Sequence, residues 1–252
     1  MIYSIYFSPT GNTKKVADIF ANVWQEKVTE IDLSRNQEDF AKYQFQQEDL
    51  CIVSVPSYGG RVPQTAVKRI QSISASGTKA VLVVVYGNRH YDDTLLELKE
   101  VLEEKTFQVI GAVAAVAEHS VMREIAAGRP DENDRKELES FAFKIKEKYE
   151  SKLFTIVEVP GNHPFREYNG IPLKPEAEKG CTACGLCAEK CPVGAISTEN
   201  PKITNKEICI SCMRCISICP QHARKLNSLM LKVAGAKLKK QCVEKKENFC
   251  IL

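Results

Sequence analysis

Eight of the eleven cysteines in this 252-residue chain fall in two copies of one spacing. The first copy is Cys181, Cys184, Cys187 and Cys191, followed by Pro192; the second is Cys209, Cys212, Cys215 and Cys219, followed by Pro220. Each reads C-x2-C-x2-C-x3-C-P, a spacing suited to a 4Fe-4S cube. Two-residue gaps let three sulfurs converge from one loop, while x3 and proline turn the chain away and send the fourth sulfur elsewhere. Two cubes are therefore expected. Structural zinc takes its ligands as two pairs, whereas these are quartets whose fillers (Ala183, Gly185, Leu186, Ile210, Met213, Ile216, Ile218) are small or apolar and leave backbone amides free to face sulfide. Disulfides require an oxidising compartment, to which nothing in the chain points.

The cysteines, the prolines and the alanines Ala195 and Ala223 all repeat at one offset, which marks an internal duplication with pseudo-twofold symmetry. The paired motifs resemble those of bacterial two-cluster ferredoxins. That resemblance implies crossed ligation: Cys181, Cys184, Cys187 and Cys219 on one cube, and Cys209, Cys212, Cys215 and Cys191 on the other.

Charge is distributed to match. The chain carries +3 overall, but from Ser151 onward sixteen Lys and Arg face nine Asp and Glu, so this part is +7 and the rest −4. A cube with four thiolates is dianionic when oxidised, so the basic excess balances clusters rather than nucleic acid, and no aromatic-basic interleaving argues otherwise. With 44% hydrophobic and 27% charged residues, the chain is globular and long enough for one full domain and a small one. Met1 to Phe7 lacks a basic leader and a cleavage site, and no apolar run approaches membrane-spanning length, so a cytoplasmic protein without a transmembrane segment is expected.

The elements that must position a second site lie at the other end. Ile2 to Phe7 reads as a buried strand, and Ser8-Pro9-Thr10-Gly11-Asn12-Thr13 follows at once. Val16, Ala17, Ile19, Phe20, Val23 and Trp24 then recur at helical spacing, so a polar loop closes onto a helix N-terminus. Hydroxyls at Ser8, Thr10 and Thr13 and the helix dipole favour a phosphate, with Gly11 permitting close backbone approach. G-x-x-x-x-G-K-[ST] is absent, so nucleoside-triphosphate hydrolysis is not indicated. This loop resembles the phosphate loop by which flavodoxins hold flavin mononucleotide (FMN).

Further strands are expected at Val28 to Leu33, Leu50 to Val55, Ala80 to Val85 and Val109 to Ala117, with helices at Gln64 to Ser72, Thr94 to Glu104 and Asp134 to Tyr149. Five strands alternating with helices predict an α/β fold, a doubly wound five-stranded parallel sheet with its ligand at the carboxyl edge. The flavodoxin resemblance carries two more loops to the flavin ring: Ser57, Tyr58, Gly59 and Gly60, extending to Arg61, and Gly87, Asn88, Arg89 and Tyr91. Tyr58 and Tyr91 are the expected ring partners. Cys51 and Trp24 read as core. His119, after the fifth strand on the same edge, reads equally as a cleft residue or a satisfied loop histidine.

Prolines 160, 164, 172 and 175 and glycines 161, 170 and 180 exclude helix or central strand, and Phe165, Tyr168, Ile171 and Leu173 are too apolar for a free linker, so this stretch is expected to lie along the first domain. The expected domains are residues 1–150 (flavodoxin-like, FMN-binding), 151–175 (extended connector), 176–225 (a small α+β ferredoxin domain with two clusters) and 226–252 (helix and tail). The apolar stripe Leu226, Leu229, Met230 and Val233 reads as a helix packed on the cluster domain, with a membrane-surface helix the lesser alternative. Cys242 and Cys250 have no partner pattern.

The combined order resembles the fusion of a flavodoxin-like domain to a two-cluster ferredoxin domain found in anaerobic bacteria. The resemblance implies electron transfer between FMN and two 4Fe-4S clusters, and on to redox partner proteins. No G-x-G-x-x-G follows a strand, so direct reduction by a nicotinamide dinucleotide has no visible site. A flavin-dependent reductase of a small acceptor such as a quinone or nitro compound, and a redox sensor, are the alternatives; no specific substrate reaction is assigned and a homo-oligomer stays open.

Overall fold

The computed structural model describes residues 1–252. β1 (Ile2–Tyr6), α1 (Asn12–Asn22) and β2 (Val28–Asp32) open the chain. A short β3 (Gln44–Phe45) precedes β4 (Leu50–Pro56), α2 (Gln64–Ser72), a short β5 (Ser74–Ala75) and β6 (Lys79–Tyr86). α3 (Thr94–Glu103), β7 (Gln108–Val116) and α4 (Glu132–Ser151) follow. β1 pairs in parallel with β2 and β4, β4 with β6, and β6 with β7. The chain thus leaves β1 in both directions, and the crevice at the carboxyl ends of β1 and β4 is the switch point where a doubly wound sheet binds its ligand.

Both sheet faces are covered, which is why the central strands are apolar without alternation. Cys51, Val53, Val55, Leu82 and Val84 join one core cluster with residues of α2 and α3, such as Ile70 and Leu98. Their neighbours Leu50, Ile52, Val81, Val83 and Val85 join the other, with Phe20 of α1 and Leu138 of α4. Trp24 belongs to this second core and meets Tyr149 edge-on, as a core residue should.

The sheet has six strands rather than the expected five. The last, β10 (Phe249–Ile251), pairs antiparallel with β7 and covers an apolar edge that would otherwise be open. Asn248 holds it there: its Oδ1 accepts from Val116 N at 2.8 Å, and its Nδ2 donates to Asp134 at 2.9 Å and Glu137 at 2.7 Å. Asp134 is also paired with buried Arg129. Burial alone would raise the Asp134 carboxyl, but Arg129, the Asp131 amide and Asn248 bring it down to about 2.

The connector runs from the end of α4 without helix and lies along the first domain. Asp93 accepts from the backbone of Asn162 at 2.9 Å and of Arg166 at 2.7 Å. Arg61 grips Glu97 through two bonds, at 2.9 and 2.8 Å, and donates to Arg166 O at 2.8 Å, with its guanidinium over Phe165. Arg61 therefore clamps the connector. The cluster domain begins at β8 (Glu176–Ala177), holds the short turns α5 (Leu186–Glu189) and α6 (Arg214–Ser217), and ends at β9 (Arg224–Lys225), which pairs antiparallel with β8. Its core cluster is only Cys187, Ala188 and Ile196. So small a core needs a further staple, which a cluster supplies.

α7 (Ser228–Gln241) departs from expectation. Leu229 and Val233 are 70% and 69% exposed, so the apolar stripe does not pack on the cluster domain. The buried residue is Gly235, whose missing side chain lets Met122 of the first domain lie against the helix, while Lys239 pairs with Glu124 at 3.1 Å. No helix is long and apolar enough to cross a membrane.

Candidate flavin and cluster sites

The loop from Ser8 to Thr13 is shaped by its own backbone. Gly11 is left-handed at φ 95°, Ser8 Oγ accepts from Lys14 N at 2.9 Å, and Lys15 N donates to Gly11 O. The amides of Gly11, Asn12 and Thr13 are left for an anion at the start of α1. Lys14 is turned away from the loop, to Asp18 at 2.7 Å and Glu30 at 3.2 Å. A cavity of 70 Å³ here is lined by Thr10, Asn12 and Thr13, by Ser57 and Tyr58 after β4, by Gly87 after β6, and by Glu118, His119 and Ser120 after β7. Asn12 ties the loop across this edge by donating to Glu118 O at 2.9 Å.

A larger cavity of 550 Å³ adjoins it, sharing Ser57, Tyr58, His119 and Ser120. Its other walls are Gly59, Arg89, Val121, Met122, the connector residues Tyr168, Ile171 and Leu173, Ser211 of the second cysteine motif, and Ala234 and Leu238 of α7. A small polar end at a helix N-terminus and a wide, mostly apolar end whose walls include Tyr58 and Tyr168 fit the phosphate and ring of FMN.

Of the expected flavin residues, Thr10, Asn12, Thr13, Ser57, Tyr58, Gly59, Gly87 and Arg89 line these cavities. Ser8 and Gly11 do not, and act by shaping the loop. Gly60 lies outside too, with the Asp92 side chain where its Cβ would be. Asn88 is taken by the C-terminal tail: it donates to Cys242 O at 3.0 Å and Glu244 O at 2.9 Å and accepts from Lys246 N at 2.9 Å. Tyr91 stacks on His90, meets Tyr86 edge-on and lines neither cavity, whereas Tyr168, packed against Gly59, lines the larger one together with Tyr58. The sequence marked Tyr168 as too apolar for a free linker and expected its segment along the first domain, but did not place it at a cavity.

His119 is a cleft residue and also satisfied. Its Nδ1 accepts from the amides of Val121 at 3.2 Å and Met122 at 3.1 Å, which places the proton on Nε2. Burial, with Arg89 adding, pushes its pKa down to about 4, against a small opposing pull from Glu124. An unfolded ring takes its proton near 6.5 and the folded one only near 4. The stability contributed is therefore complete above the first value and lost as pH falls toward the second. Unfolding in denaturant at pH 7, 6 and 5 should show this decline, and His119→Gln should flatten it; an unchanged slope would contradict the assignment.

In the cluster domain, left-handed residues recur at matching places: Ala183 and Ser211, Gly185 and Met213, Gly194 and His222. Non-glycine residues held there store strain, and their repetition in both motifs shows that the two loops share one backbone path. Ala195 N donates to Cys191 Sγ at 3.2 Å and Ala223 N to Cys219 Sγ at 3.3 Å, so the repeated alanines do the same work twice. One cavity is lined by Cys181, Cys184, Cys187 and Cys219, and a second by Cys191, Cys209, Cys212 and Cys215. Arg224 lines the first and Arg214 the second, and the buried Nε of each has no partner in the chain. Four sulfurs, an amide N–H donated to one of them and one orphaned guanidinium N–H around each cavity fit a dianionic cube. Burial, with Cys212, Cys209 and Cys187 adding to it against the Arg224 charge, pushes the Cys215 thiol up to about 12, and burial does the same at Cys212. Iron must displace these protons, so loading releases them. For Cys219 burial is outweighed by the amides of Ala223, Gln221 and Arg224 and by the Arg224 charge, which hold it below the ordinary thiol range.

A phosphate cradle at the switch point of a doubly wound sheet, joined to two cysteine quartets, defines an iron–sulfur flavoprotein of the electron-transfer class. The flavodoxin family model matches residues 5–138, and that of the 4Fe-4S dicluster domain matches residues 180–224. The chain belongs to the flavodoxin family, fused to a 4Fe-4S dicluster ferredoxin domain, and its cofactors are FMN and iron–sulfur clusters. Similar solved structures include a flavodoxin of Streptococcus pneumonia TIGR4, with 21% identity over 59% of this chain and 99% of that one and a TM-score of 0.43. Oxidised Flavodoxin 2 from Bacillus cereus has 18% identity over 58% and 98%, with a TM-score of 0.43. Rubredoxin oxygen:oxidoreductase from Desulfovibrio gigas has 13% identity over 60% and 36%, with a TM-score of 0.39. No curated protein matches the chain significantly.

Proposed function

We propose that this protein relays electrons between FMN and two 4Fe-4S cubes, and between these and redox partner proteins. The cubes are assigned to Cys181, Cys184, Cys187 and Cys219, and to Cys191, Cys209, Cys212 and Cys215. Thr10, Asn12 and Thr13, on a loop shaped by Ser8 and Gly11, bind the phosphate; Tyr58, Gly59, Gly87, Arg89 and Tyr168 face the ring. The observation that carries this reading is the 550 Å³ cavity itself, whose walls run from the phosphate loop's neighbours to Ser211, inside the second cysteine motif. Flavin supplies one- or two-electron chemistry and a cube only one-electron chemistry, so the pair converts between the two regimes. The chain's part is to exclude water with Met122, Leu173 and α7, to hold His119 as a neutral donor, and to set the cubes beside the flavin.

A second reading is favoured by the same cavity, whose apolar walls Val121, Met122, Ile171 and Leu173 would admit a flat quinone or nitro compound. Anaerobically purified protein should contain about eight iron, eight sulfide and one FMN per chain. Zinc without sulfide would overturn the cluster reading. Steady turnover with a small ferredoxin, but not with quinone or nitro acceptors, supports the relay, and the opposite pattern supports the reductase.

A further inference from the structure

We propose that electrons travel in a fixed order: flavin, the cube of Cys191, Cys209, Cys212 and Cys215, the cube of Cys181, Cys184, Cys187 and Cys219, then an external one-electron carrier protein docked at the Cys184 loop. This rests on the function proposed above and adds the wiring. The two motifs are duplicates, and duplicates alone give no reason for one cube to precede the other. What breaks the symmetry is how the domain is docked.

Ser211 lines the large flavin cavity, and the next residue, Cys212, lines the cavity of the second quartet. Tyr58 and Tyr168 line the flavin cavity and also an adjoining space of 260 Å³ that Cys209 shares. None of the residues lining the cavity of Cys181, Cys184, Cys187 and Cys219 lines any of these spaces. The polar contacts agree. Arg69 of α2 donates to Pro192 O, beside Cys191; Lys174 of the connector donates to Cys209 O; and Ser211 Oγ donates to Ile171 O. The other quartet faces outward. Cys184 is exposed, as are Thr182 and Ala183 beside it, whereas Cys212, its counterpart, is buried.

The transfers balance one electron at a time. With the groups bound, Cys191, Cys209, Cys212 and Cys215 would hold the cube that exchanges single electrons with flavin, and Cys181, Cys184, Cys187 and Cys219 the cube that exchanges them with the oxidised carrier. Two such transfers to two carriers would balance the two-electron oxidation of reduced flavin, its protons passing to water. With a reduced carrier as donor, the same path runs inward.

The test uses holoprotein with full iron, sulfide and FMN, both cubes reduced, and a freely diffusing dysprosium chelate as relaxation probe. Cys184→Ser and Cys212→Ser assign the two cube signals by altering one each. Should either serine variant fail to fold, Thr182→Glu, which removes no ligand, marks the outer cube in a separate redox titration by lowering its potential more than that of the inner one. The chelate should speed relaxation of the outer cube at several-fold lower concentration than the inner one. Equal or reversed sensitivity overturns the order. In a second measurement, the one-electron-reduced flavin signal should relax fast in wild type and in Cys184→Ser, and slowly in Cys212→Ser; the reverse again overturns it. Absent iron or FMN would sink the underlying function instead, so the two failures are distinct.

Discussion

Replacing Cys191 by serine is expected to damage the cube otherwise held by Cys209, Cys212 and Cys215, although Cys191 belongs to the first motif. The proline after each fourth cysteine turns the chain out of its own loop, and Cys191 lines the cavity of the opposite quartet together with Pro192. Its sulfur is buried and accepts from Ala195 N at 3.2 Å, so a serine oxygen would occupy a position already fixed by the backbone. Spectra of Cys191→Ser should match those of Cys212→Ser, with roughly half the iron lost or altered if that cube fails. Cys219→Ser should match Cys184→Ser. Removing a ligand can loosen a domain whose core cluster is only three residues, so total iron alone does not decide the matter. The decisive comparison is between spectra. Should Cys191→Ser resemble Cys184→Ser, each motif would hold its own cube and the crossed arrangement would have to be abandoned.

Much of this was legible in the sequence, for local reasons. The unbroken run from Ala80 to Val85 could only be a strand covered on both faces, and its observed ends, Lys79 and Tyr86, differ by one residue. The place of Ser8 to Thr13 at a helix N-terminus was readable because strand, polar turn and helix follow without a gap. What escaped were features set by distant partners. Phe249, Cys250 and Ile251 are too few to show a period, and they form a strand because β7 offers an apolar edge. Asn88 sits where the flavodoxin resemblance expects a flavin contact, yet its amide is used by residues more than 150 positions away. Leu229 and Val233 suggested a buried stripe, but the close approach allowed by Gly235 turned the helix the other way. The orphaned N–H groups of Arg214 and Arg224 give a local form to what composition showed only as a net +7.

Gly11→Val should abolish stoichiometric FMN binding while leaving iron and sulfide unchanged. A Cβ at Gly11 would meet nothing in the chain within 4 Å, so no clash with the protein stands in its way. The backbone does: φ is 95°, a conformation that costs an ordinary residue about 1–2 kcal/mol and a β-branched one more. Relief by a peptide flip would scatter the amides of Gly11, Asn12 and Thr13. Losing two hydrogen bonds to a charged phosphate, at about 1.5–3 kcal/mol each, weakens binding by about a hundredfold or more. Asparagine tolerates this region better than valine, so Gly11→Asn separates the causes. If backbone conformation decides, Gly11→Asn keeps most of the affinity and Gly11→Ala falls between it and valine. If the phosphate leaves no room for any side chain, asparagine fails as badly as valine. Equilibrium titration of the apoflavin form with FMN, followed by flavin fluorescence, reads the series directly, and a valine variant that retains one FMN per chain would show that this loop is not the phosphate site.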